Sequence, residues 1–247
     1  MPIHFTALCM LFAVATSAIA TPIELASTVQ KTTVLELYTS EGCSSCPPAD
    51  RWLSRLKNDD RLWREIVPIA FHVNYWDRLG WRDRFAKALF SQRQYNYKNH
   101  NYVKVVYTPG MTLNGREWRG FFDRQPLPKP SNREVGVLKA VIDGNNGTAT
   151  FMPKNHTPTP LVLNVALLGF NLSSDVAAGE NSGKTLHHDF VALQFQQYNS
   201  SAENNLRHWQ FSNPQTAPTD GDHGIALWVT EANDPTPIQA TGGWLRH

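Results

Sequence analysis

Cysteine is scarce in this chain. Of its three cysteines, Cys9 lies in an apolar stretch at the N-terminus, which leaves only Cys43 and Cys46 in the body of the sequence. A chain stapled by disulfides would carry several well-separated pairs, and a pair with two residues between its members closes too short a loop to stabilise much. There is no second Cys pair, nor a His pair with the usual finger spacing, to complete a tetrahedral metal site. Neither sign of charge dominates. Lys and Arg number 23 and Asp and Glu 21, a formal net charge of +2, which argues against a dedicated nucleic-acid or membrane-surface binder. Beyond residue 20 no apolar run reaches the roughly 20 residues of a membrane span. What remains is ordinary globular composition, 41% hydrophobic and 18% charged over 247 residues, enough for two small domains.

The N-terminal apolar stretch, Phe5 to Ala20, ends in Ala18-Ile19-Ala20 ahead of Thr21-Pro22, a small-residue pattern that reads as a signal-peptide cleavage site. Residues 1–20 are therefore read as a signal peptide. Met1-Pro2-Ile3-His4 carries no Lys or Arg, and an uncleaved anchor is the alternative. The expected location is the periplasm or the cell exterior, with no membrane span in the mature chain.

The stretch with nameable chemistry is residues 34–50. Val34, Leu35, Leu37 and Tyr38 form an apolar run of strand formers, Ser40 to Gly42 break it, and a helical pattern begins near Cys46. Cys43 and Cys46 thus fall at a strand-to-helix turn, where backbone N–H groups and the helix dipole favour thiolate over thiol. Cys43 is the expected nucleophile, and Cys46, within one turn of it, can attack a mixed disulfide formed there. Pro47 and Pro48 suit a first helical turn, whose N–H groups lack intrahelical partners. The same spacing also serves half of a zinc site or a small structural disulfide.

Ala49, Trp52, Leu53 and Leu56 recur at helical spacing, predicting a helix over 47–57, and Ile66 to Val73 reads as a second buried strand, expected parallel to the first across the helix by the usual crossover rule. His72, at its end, can reach the Cys turn. Residues 75–102 interleave aromatic and basic side chains; Phe85, Ala88 and Leu89 at helical spacing point to buried helices rather than a base-stacking surface. Asn114-Gly115 predicts a hairpin, and Thr108-Pro109 before it is compatible with a cis bond. A last helix is expected over about 132–140. Past the proline-rich 125–130 connection, strand-like runs at 147–152, 161–170, 189–197, 206–211 and 225–231 have the signature of an antiparallel sandwich, read as a binding or packing module. Adjacent His187 and His188 would point to opposite faces of a strand and so not share an ion.

Three motifs taken together, Thr39-Ser40-Glu41-Gly42-Cys43-Ser44-Ser45-Cys46-Pro47-Pro48-Ala49-Asp50, Phe71-His72-Val73-Asn74-Tyr75-Trp76-Asp77 with Gly80-Trp81, and Tyr107-Thr108-Pro109, resemble the bacterial secreted thioredoxin-like family catalogued as domain of unknown function 1223. The resemblance implies Cys43 as attacking thiol, Cys46 as resolving thiol, and Thr108 and Pro109 as a cis-proline loop that pairs with an extended substrate. The family pattern has Asp and Gln where this chain has Asn74 and Gly110.

The expected architecture is an α/β thioredoxin-like domain with inserted helices (30–143, after a lead-in at 21–29), followed by an antiparallel β-sandwich domain (144–247). The expected function is thiol-disulfide exchange on protein or peptide substrates, with a membrane redox protein as a candidate partner. No cofactor is expected beyond the Cys43–Cys46 disulfide, and no resident metal. Glu36, on the first strand, could take the resolving thiol's proton although its register is one residue off. Glu41 is expected to be exposed and to tune the thiolate by charge. Two alternatives stand beside this reading: a soft-metal (copper) binder using Cys43, Cys46 and His72, and a non-catalytic binding module with a structural disulfide.

Overall fold

In the computed structural model the described residues are 21–155, 159–203, 205–214 and 222–245; the expected signal peptide lies outside them. In chain order the elements are β1 (Ile23–Ala26), β2 (Thr33–Thr39), α1 (Pro47–Ser54), β3 (Ile66–His72), α2 (Ala88–Asn99), β4 (Gly110–Leu113), β5 (Arg116–Glu117), β6 (Gly136–Asp143), β7 (Asn146–Pro153), β8 (Leu161–Gly169), β9 (Leu172–Asp175), β10 (Thr185–His188), β11 (Val191–Asn199), β12 (Ser201–Glu203), β13 (Leu206–Ser212), β14 (His223–Glu231) and β15 (Asp234–Leu245). Short 3-10 helices, Arg55–Asn58 and Asn74–Leu79, follow α1 and β3. Among the described residues no helix is long and apolar enough to cross a membrane.

The apolar run around Val34 forms β2, which pairs in parallel with β3 and antiparallel with β4. Helix α1 makes the crossover, burying Ala49 and Leu53 and starting on Pro47 and Pro48. Asn114 and Gly115 both adopt positive φ, the left-handed geometry that a two-residue hairpin turn between β4 and β5 requires.

The expected α/β thioredoxin-like domain followed by a separate sandwich domain is not what the chain builds. Strands dominate, and one eight-stranded mixed sheet, in the order β15-β14-β8-β11-β3-β2-β4-β5, runs through both halves of the sequence. The junction is a short parallel contact of β3 with β11, Ala70 opposite Val191, with the Ala70 N–H donating to the Phe190 carbonyl at 2.8 Å. Every residue of β3 is buried, so its open edge needed a covering strand. The expected helix near 132–140 is instead β6: Leu138, Ala140 and Ile142 alternate inward against Lys139 and Val141 outward, a period of two rather than 3.6.

A second sheet, β1-β6-β7-β13-β12, packs on one face of the β8–β14 region. Leu163, Val165, Ile225 and Leu227 point into that interface, whereas Ala166, Leu168, Ala226 and Trp228 point to the opposite face and join Val34, Phe71 and Phe90 in the core shared by both halves. At the centre of that core is an ion pair. Arg93 of α2 donates from Nη2 to Glu36 Oε1 at 2.6 Å and from Nε to Oε2 at 3.2 Å; Tyr38 and Tyr97 hydroxyls donate to the same carboxylate at 2.5 and 2.8 Å. The guanidinium lies over the Trp228 ring, 5.0 Å from its centroid. Burial alone would lower the Arg93 pKa, but Glu36 and the flanking tyrosines outweigh it and hold it above the ordinary value.

Removing one member of this pair strands a buried charge. Arg93→Leu is expected to cost about 3–5 kcal/mol of unfolding free energy, read as a lower urea midpoint. An unchanged midpoint would contradict the placement of the pair in the shared core.

Candidate active site at the Cys43–Cys46 turn

The chain leaves β2 at Thr39, turns through Ser40–Gly42, and enters α1 with Cys46 as the residue before the first helical turn. Cys43 and Cys46 are joined in a disulfide, and both residues are 0% exposed. The Ser45 hydroxyl lies 3.3 Å from Cys43 Sγ. Gly42 is needed for close approach: a Cβ there would lie 3.1 Å from Trp76 Cβ. From this position Trp76 Nε1 donates to Thr108 Oγ1 at 2.7 Å, tying the Cys turn to the loop in which the Thr108–Pro109 peptide bond is cis.

Beside the turn is a group of five buried ionisable side chains, Glu41, Asp50, His72, Asp83 and His188. His72 Nδ1 and Asp83 Oδ2 are 2.7 Å apart, and the same Asp83 oxygen accepts the Glu41 backbone N–H at 2.9 Å. Glu41 Oε2 accepts from Trp81 Nε1 at 2.7 Å. His188 Nε2 is 3.4 Å from Glu41 Oε1 and its Nδ1 3.9 Å from Asp50 Oδ2, contacts that satisfy no hydrogen bond; both His188 ring nitrogens, Glu41 Oε1 and His72 Nε2 are buried without a hydrogen-bond partner. The His72 and His188 rings stand edge to face with centroids 4.9 Å apart. Asp50 accepts from Thr39 Oγ1 at 3.2 Å, and its backbone N–H donates to the Cys46 carbonyl at 3.1 Å, which sets it one turn after the second cysteine.

These neighbours pull the titrations apart. Burial raises the Asp50 carboxyl, and His188, His72 and Thr39 only partly offset it. For Glu41, burial pushes up but His188, Ser174 and Trp81 outweigh it, leaving the carboxyl below its ordinary value. Asp83 is drawn down to about 2 because His72 overcomes its burial, and His72 is raised in turn by Asp83.

The late half of the chain supplies more than His188. The β9–β10 hairpin reaches over the Cys turn: Asn181 Nδ2 donates to the Glu41 and Cys43 carbonyls at 2.9 and 3.0 Å, and the Glu180 carboxylate accepts the Ser44 N–H at 2.9 Å. Gly179 at the hairpin tip lies against Trp81.

The residues expected to act here are thus only partly assembled. Cys43, Cys46, Glu41 and His72 come together, with Thr108 and Pro109 reached through Trp76. Glu41 is fully buried rather than exposed, because Trp81 and the β9–β10 hairpin cover it. Glu36 is on the other face of the sheet: Thr39 of the same strand faces α1, and Glu36, three residues earlier, faces α2. Asp50 could have been read from its helical spacing to Cys46. Asp83, from the segment between β3 and α2, and Glu180, Asn181 and His188, delivered by long-range pairing, had no comparable signal. His187 and His188 do point to opposite faces, exposed and buried. Among the described residues no group of three or more His, Cys, Asp or Glu is arranged to hold a metal ion.

The His72–Asp83 pair makes stability depend on pH. Depressed Asp83 adds stability that is present above the ordinary 3.8 and lost as pH falls toward about 2. Raised His72 adds stability that is present below the ordinary 6.5 and lost as pH rises through its folded value. Urea midpoints should therefore show Asp83→Asn costing more near pH 5 than near pH 9, on the order of twofold or greater in free energy. An equal cost at both would contradict the pairing.

Two solved structures share this fold. Protein AGR_C_4864 from Agrobacterium tumefaciens superposes with a TM-score of 0.58 at 22% identity, covering 87% of this chain and 94% of that one. HBP35 of Porphyromonas gingivalis gives a TM-score of 0.58 at 17% identity, covering 89% of this chain and 76% of that one. Identities this low speak to fold alone. No curated protein matches the chain. A family model described as a protein of unknown function, DUF1223, matches residues 34–230, a span that takes in the Cys turn, the Thr108–Pro109 loop, the β9–β10 hairpin and the seam between the halves. The chain belongs to that family.

Proposed function

We propose that this protein is an exported thiol-disulfide exchange catalyst acting on protein or peptide substrates. The observation that carries the reading is a lone Cys43–Cys46 disulfide at a helix start, set against five buried ionisable side chains that core packing alone does not require. Buried charges are costly, and such groupings concentrate at reactive sites.

In the reduced protein Cys43 thiolate attacks a substrate disulfide; a mixed disulfide forms at Cys43 Sγ and one substrate thiolate leaves. Cys46 then gives up its proton and attacks Cys43 Sγ, re-forming the intramolecular disulfide and releasing the second substrate thiol. The substrate gains two electrons and the Cys pair loses two. The reverse sequence oxidises a substrate dithiol. Asp50, one helical turn after Cys46, is the proposed acceptor of the Cys46 proton, and its raised affinity for protons suits that role. Export follows from the signal-peptide reading of residues 1–20 and from the oxidising compartments in which such disulfides persist.

The complete burial of both cysteines favours a second reading, a structural disulfide in a non-catalytic protein. Trapping separates the two. Cys46→Ala, reduced and mixed with a disulfide-containing peptide, is expected to accumulate a mixed disulfide on non-reducing gels that Cys43→Ser does not form. Asp50→Asn with both cysteines present should slow resolution of the transient mixed disulfide by roughly 10²-fold. Absence of any adduct with Cys46→Ala would favour the structural reading.

A further inference from the structure

The β9–β10 hairpin does more than complete the fold. Its tip places a carboxylate on the residue that follows Cys43: Glu180 accepts the Ser44 N–H at 2.9 Å, and Asn181, itself fully buried, clamps the carbonyls on either side of Gly42, those of Glu41 and Cys43. Lys184 Nζ donates to Asn181 Oδ1 at 2.9 Å, and the tip is closed by the Gly183 N–H to the Val176 carbonyl at 2.8 Å, so the hairpin arrives with its shape already set. A backbone N–H beside a cysteine helps to stabilise its thiolate, and the one that directly follows Cys43, on Ser44 two residues ahead of the α1 cap, is already taken by an anion.

We propose that this hairpin is a latch governed by the oxidation state of the Cys pair, with Glu180 suppressing the Cys43 thiolate while the latch is closed. This rests on the exchange reading of the site. In the disulfide form the sulfurs are uncharged, and the Glu180 carboxylate meets Ser44, through its N–H and its hydroxyl. When a dithiol reductant attacks Cys43 Sγ, the S–S bond breaks, Cys46 departs as thiolate and takes up a proton. A second attack by the same reductant then releases Cys43 as thiolate, oxidising the reductant by two electrons. That thiolate and Glu180 are like charges competing for one stretch of backbone, which disfavours the closed latch. Loosening the tip withdraws a cover from Cys43, so the reduced protein exposes the nucleophile that the oxidised protein hides. The coupling is reciprocal: whatever the thiolate does to the latch, the latch does to the thiolate.

Glu180 is at the surface and can be replaced without disturbing the core. Glu180→Gln keeps an acceptor for the Ser44 N–H and removes only the charge. In the reduced protein it should increase the rate of iodoacetamide alkylation of Cys43 at neutral pH by about tenfold, lower the apparent pKa of that reaction, and shift the glutathione equilibrium about tenfold toward the dithiol, equivalent to about 30 mV. Asn181→Ala, which unclamps the tip, should speed reduction of the oxidised protein by dithiothreitol. Alkylation needs no partner, so the outcome is independent of trapping. Faster alkylation with no trapped adduct would keep the latch and remove the exchange reading; a trapped adduct with alkylation of Glu180→Gln within twofold of the parent would overturn the latch and keep the exchange reading.

Discussion

One short parallel pairing, Ala70 against Val191, holds the two halves of this chain in a single sheet. On its N-terminal side are β2, α1 and the Cys turn. On its other side, the residues just before Val191 lead back to β10 and the hairpin, carrying His188, Asn181 and Glu180 to the same turn. Lys57 beside α1 reinforces the junction by pairing with Asp189 at 2.8 Å, and Arg84 donates to the Ser173 carbonyl of β9 at 2.6 Å. A site assembled this way is incomplete in the first half alone, because Glu180, Asn181 and His188 are contributed from more than a hundred residues away.

The two buried charge groups on either face of β2 show different solutions to one problem. Glu36 is met by Arg93 and two tyrosine hydroxyls, so its charge is compensated by donors packed among aromatic rings. That arrangement fixes the core and leaves nothing free for chemistry. Across the sheet, Glu41, Asp50, Asp83, His72 and His188 share fewer hydrogen bonds, and four of their polar atoms have none. Incomplete satisfaction of this kind is costly in a structural core, and beside a disulfide it supplies groups able to exchange protons. The asymmetry is why the proposed exchange chemistry is assigned to the α1 side and why Glu36 belongs to stability.

Local structure was legible in the sequence and long-range assembly was not. The β2 run, the helix after Pro47-Pro48 and the Asn114-Gly115 turn each rest on neighbours in the chain, so spacing and residue type were sufficient. The stretch near 132–140 misled because Leu138 and Ala140 suit either element, and only pairing with β1 and β7 selects a strand. Glu41 read as exposed because a carboxylate in a turn is usually solvated; Trp81 and the late hairpin bury it. The edge that β3 offers to β11 has no sequence signature at all, and with it went the shared sheet, His188 and the latch.

Whether the buried Cys43–Cys46 pair is exchangeable can be measured directly, by equilibrating the purified protein in glutathione buffers of graded ratio and counting alkylated thiols by mass. An exchange catalyst is expected to be half-reduced at a potential between about −120 and −270 mV. A value below about −300 mV would mark the bond as structural and contradict the proposed function.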